Sequence, residues 1–116
     1  MMKNDNVIVE KTMDFAVRIV NLYKYLCNDK KEFVLSKQLL RSGTSVGANV
    51  REAIYASSKA DFVAKMRISL KEASETEYWL ELLRKTEYLT ENQYAGISGD
   101  CSEIAKLLTS IVKNSN

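Results

Sequence analysis

The chain has 116 residues, of which 46% are apolar and 28% charged, and a net charge of +2, which predicts one folded domain rather than a disordered chain. The absence of histidine excludes Ser-His-Asp and Cys-His catalysis, HExxH zinc chemistry and the Glu-x-x-His ligands of di-iron bundles. The small net charge does not by itself require nucleic acid or an anionic membrane as a partner.

The first predicted helix covers about residues 7–28. Its apolar residues recur with helical spacing, and we expect this stripe to face the core: Met13, Ala16, Ile19, Val20, Tyr23, Leu26 and Cys27. Phe15 and Leu22 widen the stripe beyond what a single helix partner needs. The sequence that follows, Asn28-Asp29-Lys30-Lys31, is typical of a turn.

The second predicted helix covers about residues 33–56. Its expected buried face combines two rows, Leu35, Leu39, Ser42, Val46, Asn49, Ala53 and Leu40, Gly43, Gly47, Val50, Ile54. An interior glycine costs about 1 kcal/mol relative to alanine, so we expect a neighbouring backbone to approach closely at Gly43 and Gly47. The alternative for the run SGTSVG is a phosphate-binding loop, but the run lacks the Walker spacing and its lysine.

The opposite side of this helix is a basic row, made of Lys37, Arg41, Thr44, Ala48, Arg51 and Tyr55. Its cations, together with Arg18 and Lys24 of the first helix, are candidate contacts to the phosphates of RNA or DNA. The alternative is a solvated face on which Arg51 pairs with a carboxylate.

The third helix is predicted at about residues 59–88, because Ser58 followed by Asp61 is typical of an N-cap with an acidic third position. Its spacing predicts one core row, which consists of Phe62, Met66, Ser69, Ala73, Thr76, Leu80 and Leu83. This row should face the core of a helical bundle.

Two carboxylates of the third helix, Glu72 and Glu75, lie beside this row and next to Trp79. An unpaired carboxylate there would be costly, so cations or several donors should meet it. The expected partners are Arg51 and Asn49, which lie across the turn in an antiparallel hairpin. Acid–base or metal chemistry by the two carboxylates is the alternative.

The fourth helix is predicted at about residues 91–113, because Thr90 and Gln93 form a capping box. Its core row is Ile97, Cys101, Ile104, Leu108 and Ile111. Four amphipathic helices joined by short turns predict an all-α, antiparallel up-down-up-down four-helix bundle that spans residues 1–116 as a single domain. Several helices carry more apolar surface than one bundle core needs, which predicts a homo-oligomer.

The two cysteines, Cys27 and Cys101, are expected to be reduced core thiols, since they provide neither a disulfide framework nor a zinc site. No apolar stretch reaches the roughly 18 residues that a bilayer requires, and the N-terminus lacks the apolar region of a signal peptide. We therefore expect a cytoplasmic protein with no membrane partner, no cofactor and no metal.

Three segments, SGTSVGANVREA, SKADF and ISLKEASETEYWL, resemble the bacterial four-helix-bundle proteins encoded within 23S rRNA intervening sequences. The resemblance covers about residues 7–112. A more distant resemblance is to the accessory variability protein of diversity-generating retroelements, a pentameric bundle that works with a reverse transcriptase and nucleic acid. The resemblance implies a left-handed bundle, a homopentamer and no enzymatic activity.

The residues that match the family motif are expected to have structural or interface roles, as are Gly43 and Gly47 between them. The matching residues are Ser42, Ser45, Asn49, Arg51, Glu52, Glu72, Glu75 and Trp79.

The leading hypothesis is a non-enzymatic oligomeric scaffold that binds RNA or DNA through the basic row. The alternative is a protein–protein interaction module, for example a reverse-transcriptase accessory-type partner, with no nucleic-acid contact of its own. A third hypothesis is an enzyme that uses Glu72 and Glu75. The sequence argues against it, because there is no histidine and no second carboxylate cluster to assist the two glutamates.

Overall fold

The computed structural model describes residues 3–115, which form four α-helices: α1 (Lys3–Asn28), α2 (Leu35–Ile54), α3 (Lys59–Lys85) and α4 (Glu91–Asn114). These described residues contain no strand, which confirms the all-α fold. α1 begins four residues earlier than predicted, and α3 ends three residues earlier, at a turn where Glu87 has a φ of 69°. None of the helices within residues 3–115 has the length and apolarity that crossing a membrane requires.

Each helix packs against the next along the chain, and α1 also packs against α4. Between α2 and α3, the hydroxyl oxygens of Ser42 and Thr76 are 2.9 Å apart, and the Ser69 hydroxyl donates to the Val46 carbonyl at 2.7 Å. Residue numbers thus rise along α2 as they fall along α3, so the two helices are antiparallel. The other neighbouring pairs show the same order of contacts, which gives the predicted up-down-up-down arrangement. Its left-handed twist stays a prediction.

Local side-chain caps start α3 and α4 where the sequence predicts. The Ser58 hydroxyl accepts from the N–H of Asp61 at 3.1 Å. Thr90 and Gln93 form the reciprocal capping box, with bonds of 2.9 and 3.2 Å. Both predictions are confirmed, because capping depends on residues that are neighbours in the sequence.

The start of α2 uses a cap that was not predicted from the sequence. The Glu32 carboxylate accepts from the N–H groups of Val34, Leu35 and Ser36 at 3.2, 3.0 and 2.7 Å. Burial alone would raise the pKa of Glu32, but these backbone donors outweigh it and leave the pKa lowered. Because Glu32 turns inward, Phe33 and Val34 turn outward and are 53% and 72% exposed.

The core row of α1 differs from the predicted stripe. Met13 is half-exposed, whereas the buried residues are Ile8, Thr12, Phe15, Ile19 and Leu26. The predicted stripe was centred too far to one side, because α1 is apolar over much of its circumference and packs against both α2 and α4. The core rows of α3 and α4 are confirmed, except that Phe62 is half-buried.

The two glycines of α2 meet α1. A Cβ on Gly47 would lie 3.2 Å from the Thr12 carbonyl oxygen, so a neighbouring backbone does approach there, as predicted. At Gly43 the prediction of a close backbone was wrong, because the neighbour is the Ile19 side chain, which would lie 2.7 Å from a Cβ on Gly43. The run SGTSVG is helical throughout, which excludes the phosphate-loop alternative.

Candidate nucleic-acid interface

The two carboxylates of α3 share one guanidinium, that of Arg41. Arg41 Nη1 donates to Glu72 at 2.9 Å, and Nη2 forms an ion pair with Glu75. The Trp79 indole N–H also donates to Glu75, at 3.0 Å. The hydrogen bonds from Trp79 and then from Arg41 lower the pKa of Glu75, because they stabilise the charged form of the carboxylate.

The prediction that Arg51 and Asn49 pair with these carboxylates was wrong. The Asn49 amide donates to the Ser45 carbonyl at 2.9 Å, and Arg51 is exposed without an ion pair to another described residue. The helix register explains the difference. Arg51 lies ten residues after Arg41, or about 15 Å further along the helix axis, and is therefore too far from the carboxylates.

The remaining polar residues of the motif make contacts within the bundle. Ser42 is fully buried against Thr76, and the Ser45 hydroxyl donates to the Arg41 carbonyl at 2.6 Å. Glu52 pairs with Lys65 across the α2–α3 turn at 3.1 Å. The contacts of Ser42 and Glu52 fix the register of α2 on α3.

The five basic residues predicted to contact phosphates do not form one continuous face. Arg18 pairs with an aspartate of α4, and Arg41 pairs with the two carboxylates of α3. Lys24, Lys37 and Arg51 are exposed and form no ion pair with another residue in the 3–115 range. Lys24 and Lys37 are near the α1–α2 turn, whereas Arg51 is near the opposite end of the bundle.

Two further lysines at the α1–α2 turn were not among the predicted contacts. Lys30 and Lys31 are exposed, and neither pairs with a carboxylate of the described chain. Lys31 has a φ of 55°, which places it in the left-handed region as the chain reverses direction. In the sequence, this cluster could have been found from the two lysines that come shortly before Phe33 and Val34. The exposure of Phe33 and Val34, however, follows from the Glu32 cap, which the sequence did not predict.

A groove of about 240 Å³ separates the outer parts of α1 and α2. Its walls are mostly apolar or small and are formed by Val9, Thr12, Met13, Ala16, Thr44, Gly47, Ala48 and Arg51. Met13 and the nearby Val17 are 50% and 53% exposed. Two residues predicted for the core of α1, Met13 and Ala16, thus line a surface groove instead.

The described part of the chain contains no group of three or more acidic or cysteine side chains placed to hold a metal ion. Both cysteines are free, and Cys27 is half-buried while Cys101 is buried. Burial raises the pKa of Cys101 to about 12, so its thiol is protonated at neutral pH.

Together these features define a small all-α bundle whose buried polar groups serve helix packing. The family model of the 23S rRNA-intervening sequence protein matches residues 4–110, and the chain belongs to this family, as its motifs predicted.

A protein of unknown function from the S23 ribosomal protein family, from Bacteroides thetaiotaomicron VPI-5482, has a crystal structure similar to this one. The two chains are 64% identical and superpose with a TM-score of 0.94, over 95% of this chain and 98% of that chain. None of the curated proteins compared with the chain matches it. The more distant resemblance to the retroelement accessory protein stays a prediction.

Proposed function

We propose that this protein is a non-enzymatic scaffold that assembles into a homo-oligomer and binds RNA or DNA. The observation that carries the proposal is the apolar surface that a single bundle leaves uncovered beside the α1–α2 groove, where Met13 and Val17 are half-exposed. Full burial of an exposed side chain of this size stabilises by about 1.5–3 kcal/mol. Covering the exposed half of Met13 or Val17 with a second copy of the chain would therefore contribute about half of that. The resemblance implies that the oligomer has five subunits.

Two observations support a nucleic-acid partner. Lys24, Lys37 and Arg51 are exposed without ion pairs to other described residues, so phosphates would meet them without displacing a carboxylate. The description of the family refers to sequences within 23S rRNA. Repetition of these cations around an oligomer would multiply weak phosphate contacts through effective concentration.

Light scattering of the purified protein, with and without nuclease treatment, tests the assembly. We expect a mass of several subunits that nuclease does not reduce. A single-subunit mass at micromolar concentration would exclude the scaffold. Filter binding to a structured RNA tests the partner, and its affinity should fall steeply as salt increases. Absent or salt-independent binding would exclude nucleic acid.

A second candidate is a protein–protein interaction module with no nucleic-acid contact of its own. It is favoured by the neutralisation of Arg18 and Arg41, two of the five predicted phosphate contacts, by carboxylates of the same chain. A partner protein recovered in a pull-down after nuclease treatment and in high salt would support this candidate over the first.

A further inference from the structure

We propose that the turn between α1 and α2 binds single-stranded nucleic acid and that a base stacks on Phe33. Residues 30–37 carry three exposed lysines, Lys30, Lys31 and Lys37, and two exposed apolar side chains lie between them in the sequence, Phe33 and Val34. This site rests on the proposed binding of nucleic acid. Beyond that proposal, the nucleic acid binds at the α1–α2 turn, and a single strand is preferred over a duplex.

The exposure of Phe33 is a consequence of how α2 begins. Glu32 is buried, its carboxylate accepts from three backbone N–H groups, and its own N–H donates to the Leu26 carbonyl at 2.9 Å. These bonds fix the backbone on both sides of Phe33, whose side chain is directed away from the core. Because the turn is already ordered, binding there loses little conformational entropy.

The Phe33 ring has no polar atom that water can satisfy, so its exposure remains unfavourable until a partner covers it. Tyr55, at the α2–α3 turn, is 81% exposed, but unlike phenylalanine it has a hydroxyl that can hydrogen-bond to water. Phe33 is also followed by Val34, which extends the apolar surface. An aromatic ring among cations is the arrangement on which unpaired bases stack while the phosphates contact the cations.

The lysines of this turn differ from the other cations at the same end of the bundle. Arg84 and Lys85, at the end of α3, pair with Glu91 and Glu81. The lysines of the α1–α2 turn form no ion pair with another described residue, so they are available to phosphates. Asp29 is exposed at the same turn and opposes an anionic ligand.

A single strand fits this turn better than a duplex or a membrane. The bases of a duplex are stacked on each other, so a protruding ring does not reach their faces. Stable attachment to a membrane needs a large apolar face or a second anchor. Phe33 and Val34 are too small a surface for that.

Fluorescence anisotropy with a short labelled single-stranded RNA, and with the same sequence as a duplex, tests the stacking. Phe33→Ala should weaken binding of the single strand by about tenfold, in the range found for one stacked base, and leave duplex binding unchanged. Tyr55→Ala is the matched control, because it removes an exposed aromatic ring at the opposite end of the bundle. It should change neither affinity.

The charges are tested in the same titration at several salt concentrations. Replacing Lys30 and Lys31 together by glutamine should make the negative slope of log affinity against log salt shallower by about 1.4, because each lysine releases about 0.7 of a counterion from a single strand. Asp29→Asn should raise the affinity, since it removes a charge that repels phosphate. Circular dichroism of each variant checks that the exposed substitutions leave the helices intact.

Three outcomes would overturn the site. If Phe33→Ala binds normally while Arg51→Gln or Tyr55→Ala loses affinity, nucleic acid binds the other end and only this inference fails. If the wild-type protein binds no RNA or DNA probe, the proposed nucleic-acid function fails with it. If Phe33→Ala abolishes binding to phosphatidylserine vesicles but does not affect RNA, the turn contacts a membrane surface instead.

Discussion

Gly43 and Gly99 both lie within helices, but their surroundings differ. A Cβ on Gly43 would lie between 2.7 and 3.0 Å from three carbon atoms of Ile19, which is fully buried. A Cβ on Gly99 would meet nothing within 4 Å. A substitution by alanine therefore separates the effect of packing from the effect of helix propensity.

We expect Gly43→Ala to lower the free energy of unfolding by about 1–3 kcal/mol through overpacking, although alanine favours the helix. Gly99→Ala should raise it by about 0.5–1 kcal/mol, because only the helix propensity changes. Urea denaturation measures both. Ile19→Ala removes all three of these carbon atoms, so it should cost less in the Gly43→Ala background than in the wild type. Equal effects of the two alanine substitutions would contradict the close packing of α1 on α2.

Glu32 makes the stability of the bundle depend on pH. Its pKa is lowered in the folded state, so its contribution is fully present above the unfolded pKa, about 4.3, and is lost as the pH falls through the folded value. Glu32→Gln should cost about 1–2 kcal/mol at neutral pH, in line with loss of a helix cap, and less in acid. Urea denaturation from pH 7 to pH 3 tests this, with the wild type as the reference. A constant difference across this range would show that the charge of Glu32 does not stabilise α2.

At the scale of the helices, the features that depend only on local residue spacing were predicted correctly from the sequence. The core rows of α3 and α4 and the caps at Ser58 and Thr90 are as expected, because each rests on residues within one or two turns. The register between helices was not predictable in this way. It depends on packing between residues far apart in the chain, such as Ser42 and Thr76, and it decides that Arg41 rather than Arg51 meets the carboxylates of α3.

The pairing of Arg41 with two carboxylates should matter for the packing of α2 on α3. Arg41→Gln would leave Glu72, whose side chain is only 12% exposed, without its cation, at a cost of about 1–3 kcal/mol. Arg51→Gln changes an exposed residue and should stay within about 0.5 kcal/mol of the wild type. Urea denaturation at neutral pH compares the two variants. A greater loss with Arg51→Gln would contradict the observed register.

At the scale of the whole molecule, the described chain is a rod of 43 × 20 × 18 Å. The α1–α2 groove runs along its side, whereas the α1–α2 turn is at one end. In a ring of parallel copies packed side by side through the groove, the turns would lie together at one end of the assembly. Self-association through the groove and nucleic-acid binding at the turn then use separate surfaces, whereas Arg51 lines the groove itself.

Glutamates introduced on the two long sides of the rod test which side the copies share. Met13→Glu with Ala48→Glu places two carboxylates in the mostly apolar α1–α2 groove, whose lining contains one cation, Arg51. This should dissociate the oligomer, because at least one of the two charges would be buried without a cation. Ile68→Glu with Tyr78→Glu is the matched control, since it changes exposed apolar residues of α3 beside the cations Arg67 and Lys71. Light scattering should give a single-subunit mass for the first variant and the wild-type mass for the second. Dissociation by the second pair alone would move the interface to α3, and the turn lysines would then meet in a different arrangement.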